Sequence, residues 1–123
     1  MHNYMFETGV FKTIIKNHRQ DLKISRGKKY FVTKNQNSAV ENSKELAEIF
    51  SLEEGAPTDY YPHILSLLSD AVNHTDNAQN AFIIDKCIHN KYTLVTQNRL
   101  LGEIAFKYGG RVNNLYEFLK AIK

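Results

Sequence analysis

Three polar residues mark the places in this chain where chemistry is most legible. They are Glu7 in Phe6-Glu7-Thr8-Gly9, Asn80 in Asn80-Ala81-Phe82, and Asn98 in Thr96-Gln97-Asn98. Glu7 and Thr8 follow the apolar run Asn3–Phe6, and Thr96 and Asn98 follow the run from Tyr92. Open α/β sheets hold their ligands at such carboxyl ends of strands. A carboxylate there binds a hard divalent cation. An asparagine carbonyl can also coordinate one, but it brings no charge. Both asparagines suit a plainer role as well, as helix N-caps. For Glu7 the plainer role is a solvated strand end.

Other chemistries are poorly served. His2, His18, His63, His74 and His89 are scattered without the paired spacing of a zinc site. Cys87 stands alone, so no internal disulfide forms, and it falls on an apolar helical face as a core residue. No Ser, Cys or Lys sits in a nucleophile motif, and no Gly-rich phosphate loop is present. Charge is uneven within a net of +3. Residues 12 to 34 carry Lys12, Lys16, Arg19, Lys23, Arg26, Lys28, Lys29 and Lys34 against Asp21, while residues 41 to 59 carry Glu41, Glu45, Glu48, Glu53, Glu54 and Asp59 against Lys44. The basic block suits the tracking of phosphates, and it equally suits a solvated helix face and turn.

These residues need elements to hold them. With 123 residues, 42% hydrophobic and 24% charged, the chain fits one globular domain spanning 1–123. It has no apolar run near the ~18 residues of a membrane span and no signal-peptide pattern, which predicts a cytoplasmic protein without a membrane partner. Strands are predicted at Asn3–Phe6, Tyr30–Thr33 and Tyr92–Val95, with a short edge strand at Arg111–Asn113. Helical spacing follows Glu7, begins again near Asn35, and is read through Glu45–Leu52. A loop at 53–59 leads to a helix with Pro62 in its first turn and Ile64, Leu65, Leu67, Leu68, Ala71 and Val72 on its buried side. Thr75 or Asp76 caps a helix that Asn80 opens, with Ala81, Ile84, Cys87 and Ile88 on one face, ending at Asn90-Lys91. Amphipathic helices follow around Leu100–Tyr108 and Leu115–Ile122. Alternating strands and helices predict a three-layer α/β/α sandwich around a mainly parallel sheet of four or five strands, with Tyr92–Val95 central.

On these residues the chain resembles the PIN domain, the fold of Mg²⁺-dependent ribonucleases and of the VapC toxins. That family opens with a strand running into Asp-Thr-Asn; here Glu7 stands for Asp, Thr8 is kept and Gly9 stands for Asn. Its distal half has an Asp opening a small-apolar helix, then Leu-Val-Thr-x-Asp. Asn80 takes the first Asp position and Asn98 the second, in Leu94-Val95-Thr96-Gln97-Asn98, without a gap. The family's Glu on the helix after the second strand falls at Ala39, counting from Thr33. Glu41 lies about 200° further round such a helix. The family's closing Gly, short strand and helix match Gly110 through Glu117-Phe118-Leu119.

The resemblance implies a site at Glu7, Ala39, Asn80, Thr96 and Asn98 in which Glu7 alone keeps an acid. Hydrolysis by that family needs metal ions that neutralise the scissile phosphate and make hydroxide. The expectation is a catalytically impaired, pseudo-nuclease domain, with RNA held by Lys12, Lys16, Arg19, Lys28 and Lys29. An active toxin-type endoribonuclease is the alternative. It would take Mg²⁺ or Mn²⁺ on Glu7 with Asp76 or Glu41; the impaired form would need no cofactor. A third reading is a protein-interaction module. The resemblance further implies an antitoxin-like protein partner and a homodimer, through Phe50 and the apolar residues of the 60 to 72 helix.

Overall fold

The structure, a computed structural model, describes residues 2–123. Five strands form one sheet: β1 (His2–Phe6), β2 (Lys28–Val32), β3 (Phe50–Leu52), β4 (Thr93–Val95) and β5 (Arg111–Asn113). Their order is β3-β2-β1-β4-β5, and every pairing is parallel. Parallel neighbours require crossovers, and helices supply them. On one face lie α1 (Thr8–Asn17), α2 (Arg19–Ile24), α3 (Lys34–Val40), α4 (Lys44–Ile49) and α8 (Leu115–Ile122). On the other lie α5 (Tyr60–Ala71), α6 (Asn77–Asn90) and α7 (Arg99–Lys107). The architecture is therefore a three-layer α/β/α sandwich. No helix among the described residues is long and apolar enough to cross a membrane.

Period-two alternation along β1 divides the core. Tyr4 and Phe6 point to the α1 face, where Tyr30, Phe50 and Phe118 surround Phe6 with ring centroids 5.1–6.2 Å away. Met5 points to the other face, among Ile64, Leu68, Ile83, Ile84 and Leu94. Both faces of β1 are thus covered at its carboxyl end, which explains the unbroken apolar run Tyr4-Met5-Phe6.

The structure corrects several sequence expectations. The middle strand is β1; β4 lies one place away, between β1 and β5. Glu45–Leu52 is not one helix: α4 ends at Ile49 and Phe50–Leu52 forms β3. Phe50 turns inward, edge-on to Phe6 and Phe11, so it is core and not a surface for a second copy. Ile64 and Leu68 are likewise buried inside the molecule, whereas Ala71 and Val72 are exposed. Tyr60 and Val72 are the large hydrophobic residues left exposed on or beside α5.

Helix α6 carries more than an apolar stripe. Asp85 and Lys86 are also buried, 0% and 3% exposed. The 53–59 loop folds over them. Asp85 accepts hydrogen bonds from the Thr58 backbone N–H at 3.0 Å and from the Thr58 hydroxyl, and the Lys86 ammonium donates to the Ala56 carbonyl. Glu53 in the same loop accepts from Asn90 and from the Tyr92 hydroxyl at 2.8 Å. Asp85, Lys86 and Glu53 are tolerated in these surroundings because each is bonded.

This interior carries a pH signature. Burial pushes the Cys87 thiol well above its ordinary range, and burial with the Glu53 hydrogen bond does the same for the Tyr92 phenol. Burial also raises Tyr4 and Tyr30. Raised acids favour the folded state while protonated, so their contribution is complete below the unfolded values, about 8.5 for Cys and about 10 for Tyr, and is lost above them. Thermal melts should be level from neutral pH to the thiol range and then fall steadily. Cys87→Ala should delay the fall until the tyrosine range. An unchanged onset in that variant would show that Cys87 contributes nothing to the decline.

Candidate functional site

All strands point the same way, so every strand's carboxyl end lies at one rim of the sheet. The strand order reverses between β1 and β4, which makes their carboxyl ends the switch point where such sheets bind ligands. Glu7 follows β1 there, and its backbone N–H donates to the Val95 carbonyl at 3.1 Å. Thr96 and Asn98 follow β4. Asn80 reaches the same rim from the first turn of α6, accepting from the Thr8 hydroxyl at 3.3 Å. The structure thus brings Glu7, Thr8, Asn80, Thr96 and Asn98 to one end of the molecule.

What these side chains do there is mostly local. Glu7 is the N-cap of α1 and 8% exposed. One carboxylate oxygen accepts from the Gly9 N–H at 2.8 Å and the other from the Val10 N–H at 3.1 Å. A Cβ at Gly9 would lie 3.2 Å from the Glu7 carboxylate, a tight contact with the end of a flexible side chain. Asn98 caps α7, accepting from the Leu101 N–H at 3.2 Å, while its own N–H donates to the Thr96 hydroxyl at 3.0 Å. Asn80 is not a cap. Helix α6 starts at Asn77, with Asp76 at the N-cap position making no side-chain cap bond.

Helix α3 brings a residue that sequence reasoning passed over. Thr33 caps it, and Gln36 completes the reciprocal capping box. Gln36 is 4% exposed and donates through its amide to the Phe6 carbonyl at 2.8 Å, just below Glu7. The Thr33-x-x-Gln36 spacing was the available signal. Ala39 is exposed and lines a cleft of about 610 Å³ between α1, α3 and α6, together with Phe11, Lys12, Asp76 and Phe82. Asn35 donates to Gln79 at 2.8 Å between the first turns of α3 and α6. Glu41 is the exposed C-cap of α3 and lines no part of this cleft. Glu7 opens instead into a smaller hollow of about 310 Å³ with Thr13, Gln97 and Leu115.

The donor set does not fit a catalytic Mg²⁺ or Mn²⁺. Such ions are usually held by one or two free carboxylates together with waters and substrate phosphates. Here Glu7 has both oxygens engaged by backbone N–H groups, and Asp76 lines a different hollow with His74 at 3.7 Å. The other groups facing the rim are the amides of Gln36, Asn80 and Asn98. Among the described residues no cluster of three or more His, Cys, Asp or Glu side chains is placed to hold a metal ion.

The basic residues spread away from the rim. Lys12 lines the large cleft, Lys16 lies one turn further along α1, and Arg19 opens α2. Lys28 and Lys29 begin β2 at the opposite rim, one five-residue strand or about 16 Å away.

No protein-family model matches the chain, and no curated protein matches it at a significant level. Solved structures do. A PilT N-terminus domain protein from Sulfolobus solfataricus superposes with a TM-score of 0.60 at 12% identity, covering 97% of this chain and 92% of that one. PAE2754 from Pyrobaculum aerophilum gives 0.59 at 13%, covering 98% and 89%. VapBC2 from Rickettsia felis, solved bound to a DNA fragment from its promoter, gives 0.56 at 18%, covering 91% and 98%. At such identities the likeness is one of fold, and it agrees with the all-parallel sheet: the chain has a PIN-like fold.

Proposed function

We propose that this PIN-like domain is a pseudo-nuclease: it lacks metal-dependent cleavage and binds RNA through the cationic outer side of α1 and the start of β2. One observation carries the first half. The sole acid among the switch-point side chains, Glu7, spends both carboxylate oxygens on the N-terminus of α1, and its neighbours Gln36, Asn80 and Asn98 are amides. A divalent ion there would meet one engaged negative charge, too little to hold it against water. Lys12, Lys16, Arg19, Lys28 and Lys29 support the second half, because sequence-independent affinity for nucleic acid comes from cations meeting phosphates. The likeness to VapBC2 favours a second reading, an interaction module with an antitoxin-like protein partner. That reading stands alone if RNA is neither cut nor bound.

Calorimetric titration with Mg²⁺ and Mn²⁺ should show no binding tighter than millimolar, and RNA should survive incubation with either ion. Cleavage that EDTA stops would overturn the proposal. The triple change Gln36→Glu, Asn80→Asp and Asn98→Asp should restore metal binding first; position 36 is chosen because Gln36 is the α3 side chain beneath Glu7. RNA binding should weaken with salt at a log–log slope of about −3.5 for a single strand if the five cations each meet a phosphate. Lys12→Ala with Lys16→Ala should make that slope shallower.

Glu7 gives a separate test. As a cap it should contribute about 1–3 kcal/mol, so Glu7→Ala should lower the unfolding free energy from denaturant titration by that amount, and Glu7→Gln, which keeps an acceptor, by less. Were Glu7 a metal ligand, Glu7→Gln would abolish activity and leave stability nearly unchanged.

A further inference from the structure

At the rim opposite the switch point, a hollow of about 370 Å³ opens between the start of α5, the end of α6 and the α7–β5 turn. Its walls bring together Tyr60, Lys91, Tyr108 and Arg111, which are far apart in sequence. Tyr60 and Tyr108 meet edge-on, with ring centroids 5.8 Å apart at 75°. Lys91 and Arg111 are exposed, and among the described residues neither makes an ion pair. Tyr92 is also in the wall, but its hydroxyl is turned away to Glu53. Asp59, beside Tyr60, is the nearest exposed acid in sequence.

Lys91 has an unusual backbone. It follows α6 with φ 59° and ψ 37°, the left-handed position where glycine is the usual residue. The turn after α7 solves the same problem with Gly109, at φ 82°. A lysine in this conformation accepts strain that glycine would not, and what it adds at the hollow is a positive charge. Arg111, the first residue of β5, adds a second.

We propose that this hollow binds a nucleoside phosphate, with Lys91 and Arg111 holding the phosphate and the Tyr60–Tyr108 pair offering a ring to the base. Two cations that make no ion pair among the described residues suit an anion, and Arg presents a fork that matches phosphate oxygens. Aromatic faces stack on any base. The volume lies at the lower end of small-molecule pockets, about 300–1,000 Å³, which suits one nucleotide and excludes a helix or strand. The ligand is either a free nucleotide or one unit of a single strand. The site goes beyond the pseudo-nuclease proposal and does not depend on it, since it shares none of the α1 or β2 cations.

Calorimetry on the full chain tests this with 5′-AMP, inorganic phosphate and an adenine octaribonucleotide. AMP should bind, with inorganic phosphate at least about tenfold weaker. Arg111→Gln should weaken AMP about tenfold, and so should Lys91→Gly, although glycine relieves the backbone and should hold or raise Tm. Tyr60→Ala should erase the preference for AMP over phosphate, and Asp59→Asn should tighten AMP. Lys12→Ala with Lys16→Ala should leave AMP binding unchanged, which separates this site from the α1 surface. An octamer that competes with AMP and binds tighter identifies a strand as the ligand; one that binds no tighter identifies a free nucleotide. No AMP binding at millimolar concentration, phosphate binding as well as AMP, or binding indifferent to both Arg111→Gln and Lys91→Gly would overturn the proposal.

Discussion

A sheet whose strands all run one way constrains everything else in this molecule. Each parallel step needs a crossover, and each crossover leaves its strand at the same rim. The buried run Tyr4-Met5-Phe6 pairs with β2 on one side and β4 on the other, and so holds the construction together. The N-termini of α1, α3, α6 and α7 consequently gather around Glu7. Helix N-termini carry partial positive charge. In a rim with several carboxylates that field would help hold the acids ionised. Here it meets one carboxylate and three amides.

Capping and metal binding compete for the same lone pairs. Glu7 is long enough to fold back onto the Gly9 and Val10 N–H groups, and Gly9 leaves room for it. Thr33 and Asn98 cap their helices in the same way. Gln36 turns its amide N–H outward to the Phe6 carbonyl and its oxygen back to the Thr33 N–H, so both halves of its amide are occupied. A carboxylate at that place has no proton to give the carbonyl. The rim is therefore knit by hydrogen bonds that suit amides, and acids returned to it would have to break some of them.

The two ends of the sheet differ in character. The switch-point end is rich in amides and hydroxyls. The other end collects cations: His2 sits below its ordinary range, first because of Lys28 and also because of Arg111, which shows that these charges share one field. Helix α6 joins the two ends. It is buried on several sides, and the bonds of Asp85 and Lys86 to the 53–59 loop leave it little freedom to shift. The two ends are thus held at a fixed separation.

Much of the fold was legible because its signals are local. Apolar runs marked β1, β2 and β4, helical spacing marked most helices, and the Glu7, Asn80 and Asn98 positions matched a spaced pattern without any structure. The remainder depended on contacts between distant segments. Phe50–Leu52 is three residues long and follows a helix directly, so no period could announce a strand; pairing with β2 creates it. Asp85 and Lys86 look like solvated residues until the 53–59 loop covers them. Gln36 escaped notice because the start of α3, which Thr33 sets, decides which side chain faces the rim. Tyr60, Lys91, Tyr108 and Arg111 have no common motif, and only the parallel pairing of β4 with β5 and the packing of α5 on α6 bring them to one hollow. Residue types and periodicity are carried by neighbours along the chain, whereas a site assembled from four separate turns exists only once the strands between them have found their register.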